Sequence, residues 1–170
     1  MNNDTAVLIY YNNVTRGLPD NMNSYAYNTD YSTYLGPQTA ILQLPTTSQW
    51  NNVSLTNTTR DIKDENGTTR ISGFSYEGYA ARLLTTQEVS AGCGFTVGSA
   101  ITGELSTKCK FLMENTGYSS RRWNDPWLET PISTYADAAW YVYGLNRLVT
   151  NAHVDNSSSP GEPPTRYVKG

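Results

Sequence analysis

The sequence predicts an α+β domain in which short helices accompany a small antiparallel sheet and long loops connect them. Three observations predict it. Two stretches carry the Thr-x-x-Gln/Glu spacing of a helix-starting capping box, Thr46 with Gln49 and Thr85 with Glu88. The pair Asn66-Gly67 lies between two short runs able to pair as a hairpin. Late in the chain, aromatic and β-branched residues gather into strand-like runs bounded by Pro, Gly and Asn.

Taken in chain order, residues 1–37 are rich in Asn, Tyr and Asp, with one short strand candidate at Ala6 to Tyr10, and read as an irregular arm packed on a domain spanning 38–170. The alternation in "TAILQL" (Thr39 to Leu44) suggests a strand stopped by Pro45. In "LPTTSQWNNVSL" the first capping box should open a helix with Trp50 near its buried face, and the same grammar recurs in "RLLTTQEVSAGC", where Val89 takes the apolar slot. The chain thus contains an internal echo, Leu-x-Thr-Thr followed by a helix. Between the two, Asp61, Asp64 and Glu65 surround the Asn-Gly turn; their spacing matches no calcium loop, so a solvated turn is expected. After Cys93 a loop leads to a short helix around Ser106 to Glu114, ended by Asn115 and Gly117. "PWLETP" reads as a strand between prolines. "AAWYVYG" (Ala138 to Gly144) is a longer one, answered by "RLVT" (Arg147 to Thr150) across Gly144-Leu145-Asn146. Strand alternation sends Trp140 and Val142 one way and Tyr141 and Tyr143 the other. The tail from 157 is rich in Ser, Pro and Gly, with a residual strand candidate at Thr165 to Lys169.

Composition narrows the function. The 170 residues suit one domain, and a formal net charge of -3 with 16% charged residues offers no basic stripe for a phosphate backbone, so nucleic acid is not expected as partner. No run approaches the ~20 apolar residues of a membrane span, and "AVLIYY" (Ala6 to Tyr11) lacks the basic flank of a signal peptide, so membrane insertion by this segment is not expected. The 16 Asn, 22 Thr and 15 Ser, with 13 Tyr against 3 Phe, favour an exported protein. Tyr with Asn, Ser and Gly is the chemistry of contact surfaces. Cys93 and Cys109 enclose 15 residues. In an exported protein a disulfide between them is the natural expectation, worth roughly 3 kcal/mol in the chain-entropy model, and two buried thiols are the alternative. The sequons at Asn13, Asn52, Asn57, Asn66 and Asn156 are what a chain this rich in Asn, Ser and Thr generates by chance.

"LPTTSQW", "YAARLLTTQEV", "CGFTVGS", "TGELSTKCKFLMENT", "WLETP" and "AWYVYG" together resemble modules in surface proteins of gut Firmicutes and their phages. Those modules are related to the C-type-lectin fold in its formylglycine-generating-enzyme-like version. The resemblance covers about residues 38–156. It implies two capped helices flanking a small twisted antiparallel sheet, with late loops and strands forming a tolerant ligand-binding face. In some relatives that face is diversified by retroelements, giving variable proteins. Relatives close with a Gly-Val-Arg-Pro stretch, where this chain has "GEPPTR" (Gly161 to Arg166).

Catalysis, a metal and a cofactor are not expected. "WND" (Trp123 to Asp125) resembles the tripeptide of calcium-dependent sugar lectins but lacks its Glu-Pro-Asn or Gln-Pro-Asp partner, and calcium needs six or more oxygens. The one histidine, His153, has no Ser-His-Asp ordering around it. Binding is the expectation that remains. Trp127 and Trp140 are expected in the core, and the ligand-binding candidates are Trp123, Asn124, Tyr141, Tyr143, Asn146, Arg147, Asn151, His153 and Asp155. Rings supply contact area at low conformational cost while neighbouring Asn, Asp and His offer adaptable hydrogen bonds. The expected partner is a protein or carbohydrate on a cell or host surface, met by an adhesin or receptor-binding module. The alternative is a structural module of a surface fibre or cell-wall protein without a ligand of its own.

Overall fold

The computed structural model describes residues 27–30, 32–50, 54–93, 96–97, 127–143 and 147–153, of which 43, 92–93, 142–143 and the last strand are described by backbone alone. They form a small α+β unit with two antiparallel sheets. One is the hairpin of β1 (Thr59–Lys63) and β2 (Thr69–Ser75); the other has the order β3 (Trp127–Pro131), β4 (Ala138–Tyr143), β5 (Arg147–His153). One helix, α1 (Thr86–Cys93), lies between them in sequence, and single 3-10 turns occupy Thr33–Leu35, Ala40–Gln43 and Ser48–Trp50. No helix among the described residues is long and apolar enough to cross a membrane.

Both capping boxes form reciprocally. At the start of α1 the Glu88 carboxylate accepts the Thr85 N–H at 2.9 Å while the Thr85 hydroxyl accepts the Glu88 N–H at 3.1 Å. At the earlier box the Gln49 side-chain oxygen accepts the Thr46 N–H at 2.9 Å and the Thr46 hydroxyl accepts the Gln49 N–H at 3.3 Å. The echo extends into the tertiary structure. Leu44 and Leu83 are both buried in the same cluster, and the carbonyl after each, of Pro45 and of Leu84, accepts a backbone N–H from Ala80 at 2.9 Å and from Glu129 at 2.8 Å. The two boxes open segments of different length. Thr85 starts an eight-residue helix whose Val89 is buried, whereas Thr46 starts one 3-10 turn and the chain is irregular again by Ser54. By sequence, Asn51, Asn52, Val53 and Ser54 are together weaker helix formers than the residues that follow Thr86, so this cap has less to propagate into. Thr85→Ala should therefore cost about 1 kcal/mol, and Thr46→Ala less, in urea unfolding. An equal loss at both sites would mean that the boxes stabilise their bridged backbones and not the helix.

"TAILQL" is not a strand. The Tyr27 carbonyl accepts the N–H groups of Thr39 and Ala40, each at 3.2 Å, and Ile41 donates to Pro37 at 2.9 Å, which coils the segment into a 3-10 turn. Ile41 and Leu44, three apart and in step with a 3-10 period, are buried while Leu42 faces solvent. Six alternating residues fit either period, and tertiary hydrogen bonds chose.

The Asn66-Gly67 hairpin forms, but its acids are not a solvated turn. Asp64 is fully buried: one carboxylate oxygen accepts the N–H groups of Asn66 at 2.9 Å and Thr68 at 3.0 Å, and the other accepts from Arg70 Nε at 2.7 Å. Gly67 takes the left-handed conformation at φ 83° that the turn requires. Glu65 reaches across to the loop after β3, accepting the Ser133 N–H and the Trp140 indole N–H, the latter at 3.1 Å. Only Asp61 is exposed, and it accepts the Gly73 N–H at 3.0 Å beside the register shift in β1.

The core gathers residues remote in sequence. Tyr27, Ile41, Leu44, Ile62, Phe74, Tyr76, Leu83, Trp127 and Ala139 pack together. The Trp127 ring lies between Tyr27 and Tyr141, edge-on to both at centroid distances of 5.7 and 5.9 Å. Residues 27–37, which composition places in the arm, thus supply Tyr27 to the interior. All five residues of β3 are buried, because its outer edge is covered by the segment leading into α1: Glu129 N–H donates to Leu84, and Thr130 Oγ1 accepts the Thr86 N–H at 3.0 Å. The strand candidates Ala6 to Tyr10 and Thr165 to Lys169, the helix at Ser106 to Glu114 and the turn 144–146 lie outside the described residues.

Candidate functional site

β4 and β5 bring part of the expected binding set together. In their register Tyr143 pairs with Arg147, Val142 with Leu148 and Tyr141 with Val149. From there to the next pair, Ala139 with Ala152, β4 advances two residues and β5 three, so β5 carries an extra residue near Thr150 and Asn151, opposite Trp140. The ladder position of His153 consequently pairs with Ala138, on the side of β4 that Trp140 also occupies, and not on the side of Tyr141 and Tyr143. Trp123, Asn124, Asn146 and Asp155 lie outside the described residues, as does Cys109, while Cys93 ends α1.

Both faces of the first half of β4 are covered. Trp140 is buried on one, tied to Glu65; on the other Ala139 is buried and Tyr141 is half-buried, packed on Trp127. Tyr141 is therefore shared between core and surface. Trp127 and Trp140 are both buried, as expected from their apolar strand neighbours.

A polar centre not foreseen from the sequence lies beneath this sheet. Glu129, only 1% exposed, accepts a hydrogen bond from the Tyr76 hydroxyl at 2.8 Å, and its backbone carbonyl accepts one from the Tyr27 hydroxyl at 2.7 Å. Arg60 of β1 brings Nε to 3.2 Å of the carboxylate as an ion pair, without aligning its N–H as a donor. Arg82 lies near the same carboxylate and pairs with Glu88, donating also to the Leu83 carbonyl at 2.9 Å. Burial pushes the Glu129 carboxyl above its ordinary range, and the opposing pull of Arg60, Tyr76 and Arg82 does not cancel it. Burial, then the Glu129 charge, pushes the Tyr27 and Tyr76 hydroxyls well upward. Glu88 and Asp64 shift the other way: burial raises each, but hydrogen bonds from Arg82 and Thr85 outweigh it at Glu88, and those from Thr68, Arg70 and Asn66 at Asp64.

The signal for this centre was a lone acid in the apolar run "WLETP", together with Arg82 between Ala81 and Leu83 and Arg60 among polar neighbours. Chemically it joins β1, the residue after β2 and β3 through the Glu129 carboxylate, with Tyr27 held on the Glu129 backbone carbonyl, and it offers no paired nucleophile and base. Among the described residues no group of three or more His, Cys, Asp or Glu is gathered as a metal site would require.

The raised Glu129 value fixes the sign of a pH effect. Its contribution to stability is complete below the unfolded-chain value and is lost as pH rises through the folded value. Glu129→Gln keeps an acceptor for Tyr76 and removes the titration, and Arg60, partly exposed, can be hydrated. Relative to the wild type, the variant should gain stability in urea unfolding as pH rises above the ordinary carboxylate range, because the raised Glu129 value makes the wild type lose stability there. Asp64 and Glu88 act oppositely and are common to both proteins, so they drop out of the difference. A pH-independent difference would show that folding leaves the Glu129 carboxyl at its unfolded-chain value.

Compared with family models, curated proteins and solved structures, the chain matches none.

Proposed function

We propose that the chain is a non-catalytic ligand-binding module, receptor-binding or adhesive, of an exported bacterial or phage surface protein. We further propose that its α+β unit is a C-type-lectin-like domain of the formylglycine-generating-enzyme-like kind, related to the retroelement-diversified variable proteins. The observation that carries the binding reading is the pairing of Tyr143 with Arg147 beside that of Tyr141 with Val149, on a hairpin whose other end is anchored through Trp127. Ladder positions two apart along β4 then carry two tyrosines, one of them paired in register with an arginine, residue types that dominate binding energetics. The echo of two reciprocal capping boxes around a small antiparallel sheet supports the fold reading. The ligand in this reading is a protein or carbohydrate of a cell surface, and the disulfide of Cys93 with Cys109 belongs to the same extracellular setting.

The test is an array of cell-surface glycans and surface proteins probed with the whole chain and with Tyr143→Ala and Arg147→Ala. One or both variants should weaken the bound species by about 30-fold, equivalent to ~2 kcal/mol, with the melting temperature unchanged. A folded chain that binds nothing on the array, or binds equally well in both variants, would favour the structural module.

A further inference from the structure

The large hydrophobic side chains exposed among the described residues are Tyr34 (54%), Leu35 (42%), Leu42 (57%) and Tyr135 (57%). They are not scattered. Three lie on the stretch 34–42, and the fourth lies on the loop between β3 and β4, which is joined to that stretch. The N–H and the hydroxyl of Thr33 both donate to the Ala136 carbonyl, at 2.6 and 2.9 Å, so Tyr34 and Tyr135 each sit one residue from the same junction. The junction is held firmly. Thr33 is buried, and the buried Asn28 amide donates to the Ser32 carbonyl at 2.6 Å and the Gly36 carbonyl at 3.0 Å. On the other loop Ser133 is fastened to Glu65, and its carbonyl accepts from Arg70 at 3.0 Å. Two exposed rings are thus presented on backbone whose order is already secured, which lowers the entropic cost of binding through them. Isolated exposed apolar residues need no explanation, whereas a gathered set marks an interaction surface.

The charge on the two stretches that carry this patch has one sign. Neither 27–50 nor 127–143 contains a lysine or arginine, and both carry acids open to solvent, Asp30 fully and Asp137 in part. The cation reaching the loop, Arg70, is already paired with Asp64 at 2.7 Å. We propose that Tyr34, Leu35 and Tyr135, with Leu42 at the margin, form a docking surface for a protein segment bearing an apolar anchor flanked by lysine or arginine. Leucine and tyrosine receive the anchor, tyrosine faces attract the cations, and Asp30 supplies the complementary charge. A sugar would use the two rings but gain little from the leucines. This surface is distinct from the β4–β5 positions and does not depend on them.

The test uses fluorescent peptides of about 12 residues, one alternating Leu with Lys and one alternating Leu with Glu, titrated into the full chain by anisotropy. The Leu/Lys peptide should bind at least about tenfold more tightly, and its affinity should fall as salt rises to about 0.5 M. Tyr34→Ala and Tyr135→Ala should each weaken it by about 5- to 30-fold, within the range of interface aromatics. Tyr135→Ala is an independent probe should Tyr34→Ala disturb the 3-10 turn. Glu77→Gln, an exposed acid in the turn after β2, should leave binding unchanged and so separates the patch from general attraction to an acidic protein. Equal binding of both peptides, indifference to the tyrosine variants, or loss in Glu77→Gln would overturn the proposal. So would loss confined to a soluble oligosaccharide, or variants that alter only self-association in sedimentation.

Discussion

Trp127→Ala should lose about 3 to 5 kcal/mol of unfolding free energy, at the upper end for a buried aromatic, and the protein should unfold at markedly lower urea. Trp127 has no exposed surface and lies in the centre of the cluster, with Tyr27 and Tyr141 edge-on at 5.7 and 5.9 Å. Its truncation leaves a cavity that neither neighbour can fill, because the Tyr27 hydroxyl is held by Glu129 and Tyr141 by the β4 ladder. It also removes two edge-to-face ring contacts, which add to the loss from area alone. Trp127→Phe should recover more than half of that loss. A loss below about 1 kcal/mol for the alanine variant would mean that the three edge-to-face rings are not part of the folded core.

Gly36→Ala should cost about 2 to 6 kcal/mol, a large effect for one methyl group. Two independent penalties combine. Gly36 caps the Thr33–Leu35 turn at φ 74°, a conformation that costs a residue with a β-carbon about 1 to 3 kcal/mol. A β-carbon there would also stand 2.7 and 2.8 Å from two Phe74 ring carbons and 3.3 Å from Ile71 Cδ1, and relief of such overpacking costs about 1 to 3 kcal/mol more. Gly67→Ala isolates the first penalty, since Gly67 has positive φ and nothing within 4 Å of its added carbon. Equal losses at Gly36 and Gly67 in urea unfolding would remove the crowding component.

The features legible in the sequence were those that short-range chemistry controls. The two capping boxes, the Asn-Gly hairpin and the strands holding Trp127, Trp140 and Tyr141 each depend on residues within a few positions of one another. Their hydrogen bonds and periodicities are nearly the same in any tertiary setting. The burial of Trp127 and Trp140 followed from the same local pattern. Of the binding candidates, the pairing of Tyr143 with Arg147 was implicit in the sequence, where only three residues, Gly144-Leu145-Asn146, separate the two strand runs.

Everything that depended on a distant partner was decided by the tertiary structure. "TAILQL" coils instead of extending because the carbonyl of Tyr27 takes the N–H groups of Thr39 and Ala40. Asp64 and Glu65 leave solvent because Arg70, Ser133 and Trp140 are waiting for them. The extra residue in β5 carries the His153 position to the other side of the ladder from Tyr141. Glu129 is the clearest case. Its own strand and the loop after it hold no lysine or arginine to offset the burial of a carboxylate, and the tyrosine that donates to that carboxylate, Tyr76, lies 53 residues off in sequence. A charge buried alone costs several kcal/mol, so its tolerance depends on which remote donors the fold delivers. Local sequence carries the preference of a backbone for a turn or a strand, but the free energy of burying a polar group is a property of its neighbours in space.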